Sequence, residues 1–277
     1  MTSVLKHYEG MPHDLFLIGS LPKDKKLTVA IVGSRKPTAY GKQVTHQLAF
    51  ELAKRGVVII SGLAYGVDAT AHEAALEAGG TTIAVLAGGL HKIYPVAHET
   101  LAKRIVESGG ALISEHEAGM EAHPYHFLSR NRIVSGLADA VVVTEATDRS
   151  GTLSTVAHAL DQNKDVFAVP GPITSLLSAG SNRMLQQGAQ VALRSQDILD
   201  SIAPQLSLQQ TKLPLGDTAL ETRIIQLIAG GVNDGEAIQR RLPDHSTAEV
   251  LQALTMLELQ GSLRSVGGNT WAIRTLN

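Results

Sequence analysis

Three stretches rich in glycine and small hydroxyls have the make-up of a phosphate-binding edge: GSRKPTAYG (33–41), SGLAYGVDATAH (61–72) and EATDRSGTLST (145–155). Each follows a short apolar run, where a chain leaving a strand can turn its backbone N–H groups toward an anion. Gly33 and Ser34 are the candidates in the first stretch, Ser61 and Gly62 in the second, and Ser150, Gly151 and Thr152 in the third. Arg35 adds a guanidinium at the mouth of the first. Glycines that merely tighten strand-to-helix turns explain any one of these loops. Three on one edge point to an anion cradle. A fourth stretch, HPYHFLSRNR (123–132), reads as a loop that sets Phe127 beside Arg130, Asn131 and Arg132. A phenyl ring there can stack on a base, and the arginines can hold phosphates through paired donors. The competing reading makes Phe127 a core plug and pairs the arginines with Glu115 and Glu145, which end neighbouring apolar runs.

Other chemistries lack their residues. GSRKPTAYG is not the G-x-G-x-x-G of dinucleotide binding, and there is no Walker lysine or G-x-S-x-G. In RSGTLST, Gly151 and Thr152 match the phosphoribohydrolase signature P-G-G-x-G-T-x-x-E, but Thr155 stands where its catalytic glutamate would be. A nucleotide or nucleoside-phosphate hydrolase using the same cradle is therefore the alternative function, and it lacks its carboxylate. His91, His98, His116, His123 and His126 show no tight ligand spacing, and there is no cysteine, so neither metal nor cofactor is expected.

The elements that position these loops follow from hydropathy. Apolar runs at 27–32, 57–60, 81–87, 110–114, 140–144 and 165–170 alternate with amphipathic stretches ending in glycine. Runs that are apolar throughout are buried on both faces, which predicts an α/β, Rossmann-like, doubly wound and mostly parallel sheet over residues 1–202, with 14–22 as an extended lead-in strand. Residues 203–217 read as a linker. Beyond them, three helical patterns and a strand–GGN–strand predict a small C-terminal winged helix over 218–277. From Leu213 onward the chain carries five basic residues (Arg223, Arg240, Arg241, Arg264, Arg274) against seven acidic ones, and the helix STAEVLQALTMLELQ has no basic residue. A groove-reading helix needs such groups, so a protein contact is the better expectation. At 277 residues with a formal charge of −2, polyanion binding has to come from a local patch. No leader or bilayer-spanning run is visible, and the absence of cysteine suits a reducing cytoplasm.

At IVGSRKPTAYG, SGLAYGVDATAH, HFLSRNR and RSGTLST…VFAVPG, the chain resembles the DNA-processing protein A (DprA/Smf) family from about residue 14 to 200, with the motifs in the same order. The resemblance implies a non-catalytic, homodimeric single-stranded DNA-binding protein that protects incoming DNA and loads the RecA recombinase in natural transformation. It makes Arg35 a phosphate contact and Phe127 a base contact, and aligns Arg130, Asn131 and Arg132 with the family's R-N-R. Self-association is expected at 178–189. Three departures stand out: Leu128 replaces a proline, Val96 replaces a DNA-contacting lysine after YP, and the family's N-terminal helical domain is expected to be missing.

Overall fold

The structure, a computed structural model, describes residues 10–12, 14–24, 26–203 and 218–273. The chain divides into two compact units, Met1–Ser207 and Leu208–Asn277. The expected linker lies, from residue 204 onward, outside the described residues.

In the first unit, β1 (Phe16–Gly19), β2 (Thr28–Val32), β3 (Val58–Ser61), β4 (Thr82–Val85), β5 (Ala111–Ser114), β6 (Ala140–Val143), β7 (Asp165–Ala168) and β8 (Gln190–Val191) form one sheet. Its order is β1-β5-β4-β3-β2-β6-β7-β8. Only β1, the lead-in, pairs antiparallel, against β5, and the remaining described pairs are parallel. Between the strands lie α1 (Ala39–Lys54), α2 (Val67–Glu77), α3 (Glu99–Glu107), α4 (Pro124–Leu137), α5 (Thr152–Asp161) and α6 (Leu176–Gln186), and α7 (Ser195–Ile202) follows β8. The two-residue alternation of a strand sends Ala30 and Val32 to one face, with Ile133, Val134 and Leu137 of α4 and Val156 and Ala159 of α5. Val29 and Ile31 go to the other, with Leu48 and Leu52 of α1, Ala71 and Ala74 of α2, and Ile198 of α7. Apolar side chains are thus needed at every position of the central strands, which is why the runs show no alternation.

The order reverses at β2, which lies between β3 and β6. A crevice opens at such a switch, outside the carboxyl ends of the two strands. The loops that reach it are those after β2 and β6, which carry Gly33–Arg35 and Ser150–Thr152.

The second unit contains α8 (Ala219–Ala229), α9 (Gly235–Arg240), α10 (Thr247–Leu259) and a hairpin of β9 (Leu263–Gly267) and β10 (Thr270–Ile273). These are the three helices and the hairpin expected of a winged helix. Capping boxes start two of the helices: Thr218 and Ser246 accept from the N–H groups of Glu221 and Glu249, whose carboxylates accept in return from the cap N–H groups. Ile224, Ile228, Ile238, Leu254, Leu257 and Trp271 fill its core.

Candidate functional site

The stretch read as a loop at 123–132 is the start of α4. Pro124 occupies the first helical turn, where its missing N–H costs nothing, and the His123 N–H donates to Nδ1 of His126 at 3.2 Å. Placing Arg130, Asn131 and Arg132 on a helix turns them about 100° apart, so three consecutive side chains reach three different places.

Arg130 is buried, 4% exposed. Its Nη1 donates to the Gly62 carbonyl at 2.7 Å and to the Val85 carbonyl, joining the ends of β3 and β4. Gly62 is glycine for that reason: a Cβ there would fall on the Arg130 guanidinium. Asp68 supplies the buried counter-charge and accepts from the Gly62 and Ala64 N–H groups at 3.1 and 3.3 Å. Burial pushes the Asp68 carboxyl up, while Arg130 and these amides pull it back. Burial likewise brings Arg130 down to about 10, opposed by Asp68, so the guanidinium stays charged at neutral pH. Asn131 donates from Nδ2 to Ser154 Oγ at 2.8 Å and to the Gly151 carbonyl at 3.3 Å, tying α4 to the start of α5. Arg132 donates from Nη2 to Glu115 Oε2 at 2.5 Å, with both side chains largely covered.

Both arginines thus have internal partners and brace the fold, and Arg130 also lines the cavity. Glu145 makes no pair with them. It receives the Thr38 N–H at 2.8 Å and hydroxyl at 2.6 Å at the start of α1. Ser61 is corrected: it is fully buried, with its hydroxyl donating to the Ile31 carbonyl at 2.6 Å. Arg132→Met is expected to cost about 1–3 kcal/mol of stability, the penalty for leaving Glu115 without its donor. Ligand affinity at the cavity should change by less than about twofold. Thermal denaturation and a binding isotherm on one sample check both.

A cavity of about 390 Å³ lies at the strand switch, lined by Gly33, Arg35, Asp68, Phe127, Leu128, Arg130, Asn131, Ser150, Gly151, Thr152 and Thr155, among others. The N–H groups of Gly33 and Gly151 have no hydrogen-bond partner among the described residues. A Cβ on Gly151 would meet only Leu128, at 3.8 Å, so its backbone is open to close approach. Ser150 Oγ donates to Thr152 Oγ1 at 2.9 Å and accepts from the Thr152 N–H at 3.2 Å, which holds this loop at the N-terminus of α5. Arg35 is exposed and makes no ion pair among the described residues. Its guanidinium carbon lies 5.1 Å from the centre of the Phe127 ring. Phe127 is half-buried at the cavity wall, so it is no core plug. Sequence reasoning missed Tyr94, whose ring meets Phe127 edge-on at 5.5 Å, and the buried Asp68 charge that acts on Arg130. Tyr94 lies in a stretch noticed only for Val96, and nothing in the local sequence links positions 68 and 130.

Among the described residues, no helix is long and apolar enough to cross a membrane, and no group of histidines and carboxylates has the arrangement to hold a metal ion.

Residues 2–203 match the family model of DNA recombination-mediator protein A. DNA processing protein DprA of Bacillus subtilis is 40% identical over 211 residues, covering 75% of this chain and 70% of that one. Protein Smf of Escherichia coli is 36% identical over 277 aligned positions, covering 95% of this chain and 72% of that protein. A solved structure of DNA processing protein A from Helicobacter pylori, described for its single-stranded DNA binding mode, superposes with a TM-score of 0.67 at 35% identity, covering 73% of this chain and 92% of that one.

Proposed function

This chain belongs to the DNA recombination-mediator protein A family, and from that premise we propose that it is a non-catalytic protein that binds single-stranded DNA at the cavity between β2 and β6. One observation carries the reading: Arg35, a guanidinium without an ion pair among the described residues, lies against a half-exposed aromatic ring beside backbone amides with no partner there. Charge, ring and amides together match a strand whose phosphates and bases are both accessible. Lys36 and Arg149, exposed on the same two loops, can add phosphate contacts.

Several features disfavour the hydrolase. Asp68 is the one carboxylate among the cavity-lining residues, and it is buried and accepts from two amides. Thr155, at the position of the missing glutamate, is 2% exposed and carries no acid.

In this reading the protein covers incoming strands and passes them to RecA in natural transformation, acting as a homodimer. The expected dimer segment, 178–189, turns Ser178, Gly180, Ser181 and Met184 inward. Ile173 and Leu176, exposed by 95% and 82%, precede it and make the better apolar centre for that contact. On α10, Leu251, Met256 and Leu259 are exposed, which favours a protein partner over duplex DNA for the second unit.

The test is a salt-titrated binding assay with labelled oligo-dT, a duplex of equal length and mononucleotides. Oligo-dT should bind tightest, and nucleoside monophosphates should not be turned over. A preference for duplex would overturn the reading, and so would turnover lost on changing Ser150 or Thr152. Phe127→Ala should weaken oligo-dT binding by about tenfold, the scale of one lost base stack, with an unchanged melting temperature.

A further inference from the structure

We propose that the loops after β3 and β4 form a second base-stacking subsite, built by Tyr94 and Tyr65, for nucleotides that continue the strand beyond Phe127. The inference rests on the single-stranded DNA reading above. Tyr94 and Tyr65 are exposed by 54% and 48%. Neither hydroxyl has a hydrogen-bond partner among the described residues, whereas Tyr40, at 42% exposure, donates to the Pro170 carbonyl at 2.8 Å. Tyr94 adjoins the cavity through its contact with Phe127. Tyr65 leans on His98, with ring centres 4.9 Å apart and planes at 66°, and His98 Nδ1 lies 2.8 Å from the Leu63 carbonyl. His98 thereby ties the two loops together, so each phenol is held by its neighbour while retaining free surface. Tyr65 also precedes Gly66, which packs against the backbone of Ser34 and Arg35. Both phenols therefore border the residues that carry the Arg35–Phe127 contact.

The chemistry of this rim is apolar. Residues 93–97, Ile-Tyr-Pro-Val-Ala, carry no charge, and Val96 is 59% exposed at the position where the resemblance expects a lysine. Single exposed apolar side chains are ordinary on a protein surface. Two phenols and a valine next to an anion cradle are better matched to bases, which offer flat faces whatever their sequence. The rim thus trades a phosphate contact for stacking: binding there should add affinity with strand length without steepening the salt dependence.

Fluorescence anisotropy with oligo-dT of two to twelve nucleotides, on the full chain, tests this. Tyr94→Ala should leave the dinucleotide unaffected and weaken binding of the longer strands by roughly tenfold. Tyr65→Ala should do the same only at the greater lengths. Tyr94→Phe, which keeps the ring, should restore binding. Tyr125→Ala, which removes an exposed tyrosine packed on His123 and His126, should have no effect. An abasic site that weakens the wild type should cost Tyr94→Ala nothing further. Length dependence identical to wild type in Tyr94→Ala, failure of Tyr94→Phe to rescue, or an equal loss in Tyr125→Ala would overturn the subsite. In those cases the dinucleotide's sensitivity to Phe127→Ala would still support the cavity. If the wild type binds no oligo-dT at any length, the cavity reading fails and the subsite falls with it.

Discussion

Arg35→Ala is expected to weaken oligo-dT binding by tenfold or more at low salt and to flatten the salt dependence by about 0.7 in the slope of log K against log salt, the signature of one lost phosphate contact on a single strand. The melting temperature should not change. The physical basis is the absence of internal commitments: the side chain is exposed, pairs with no carboxylate among the described residues, and touches the Phe127 ring. An exposed cation–π contact contributes only about 0.5–1 kcal/mol, so folding loses little when it goes. Arg35→Lys separates the two parts of its role. It should keep the salt slope, because the charge remains, and lose part of the affinity, because an ammonium lacks the planar fork. Unchanged binding in Arg35→Ala would show that the strand lies elsewhere.

The opposite pattern is expected at Arg130. Arg130→Ala should cost about 3–5 kcal/mol of stability, since it leaves Asp68 buried without its counter-charge and two carbonyls without their donor. For a unit of this size that corresponds to a fall in melting temperature of roughly 6–20 °C. A double change, Arg130→Met with Asp68→Leu, should recover only the part due to the uncompensated charge, because the Gly62 and Val85 carbonyls and the Gly62 and Ala64 N–H groups still lose their partners. If Arg130→Ala melted like the wild type but no longer bound oligo-dT, the guanidinium would be a strand contact after all.

The two arginines differ in a way that local sequence does not display. Arg35 sits in a glycine- and hydroxyl-rich stretch and Arg130 in an aromatic and basic one, and both match motifs of the family. Phe127 was legible as a ring beside the cradle, although its loop is a helix: Pro124 is a favoured first helical residue, but the aromatic and charged composition that follows hid the turn. Ser61 misled because a small hydroxyl after an apolar run suits an anion loop and a buried strand end equally well. Tyr94 carries no local signal of its own, because an exposed tyrosine beside a proline is ordinary in a loop and only its contact with Phe127, 33 positions on, gives it a place in the site.

The sheet, the two-unit organisation and the edge on which the cradle sits were determined by the sequence alone. They depend on short-range periodicity, on apolar runs with no alternation and on glycines at their ends, and each of these is complete within a dozen residues. Which guanidinium faces outward was decided only by tertiary structure. Arg130 and its acceptor Gly62 are separated by 68 positions, and Arg132 and Glu115 by 17. Whether a charge is spent inside the protein or left for a ligand depends on what the fold brings beside it, and the chain around each arginine carries no record of that partner.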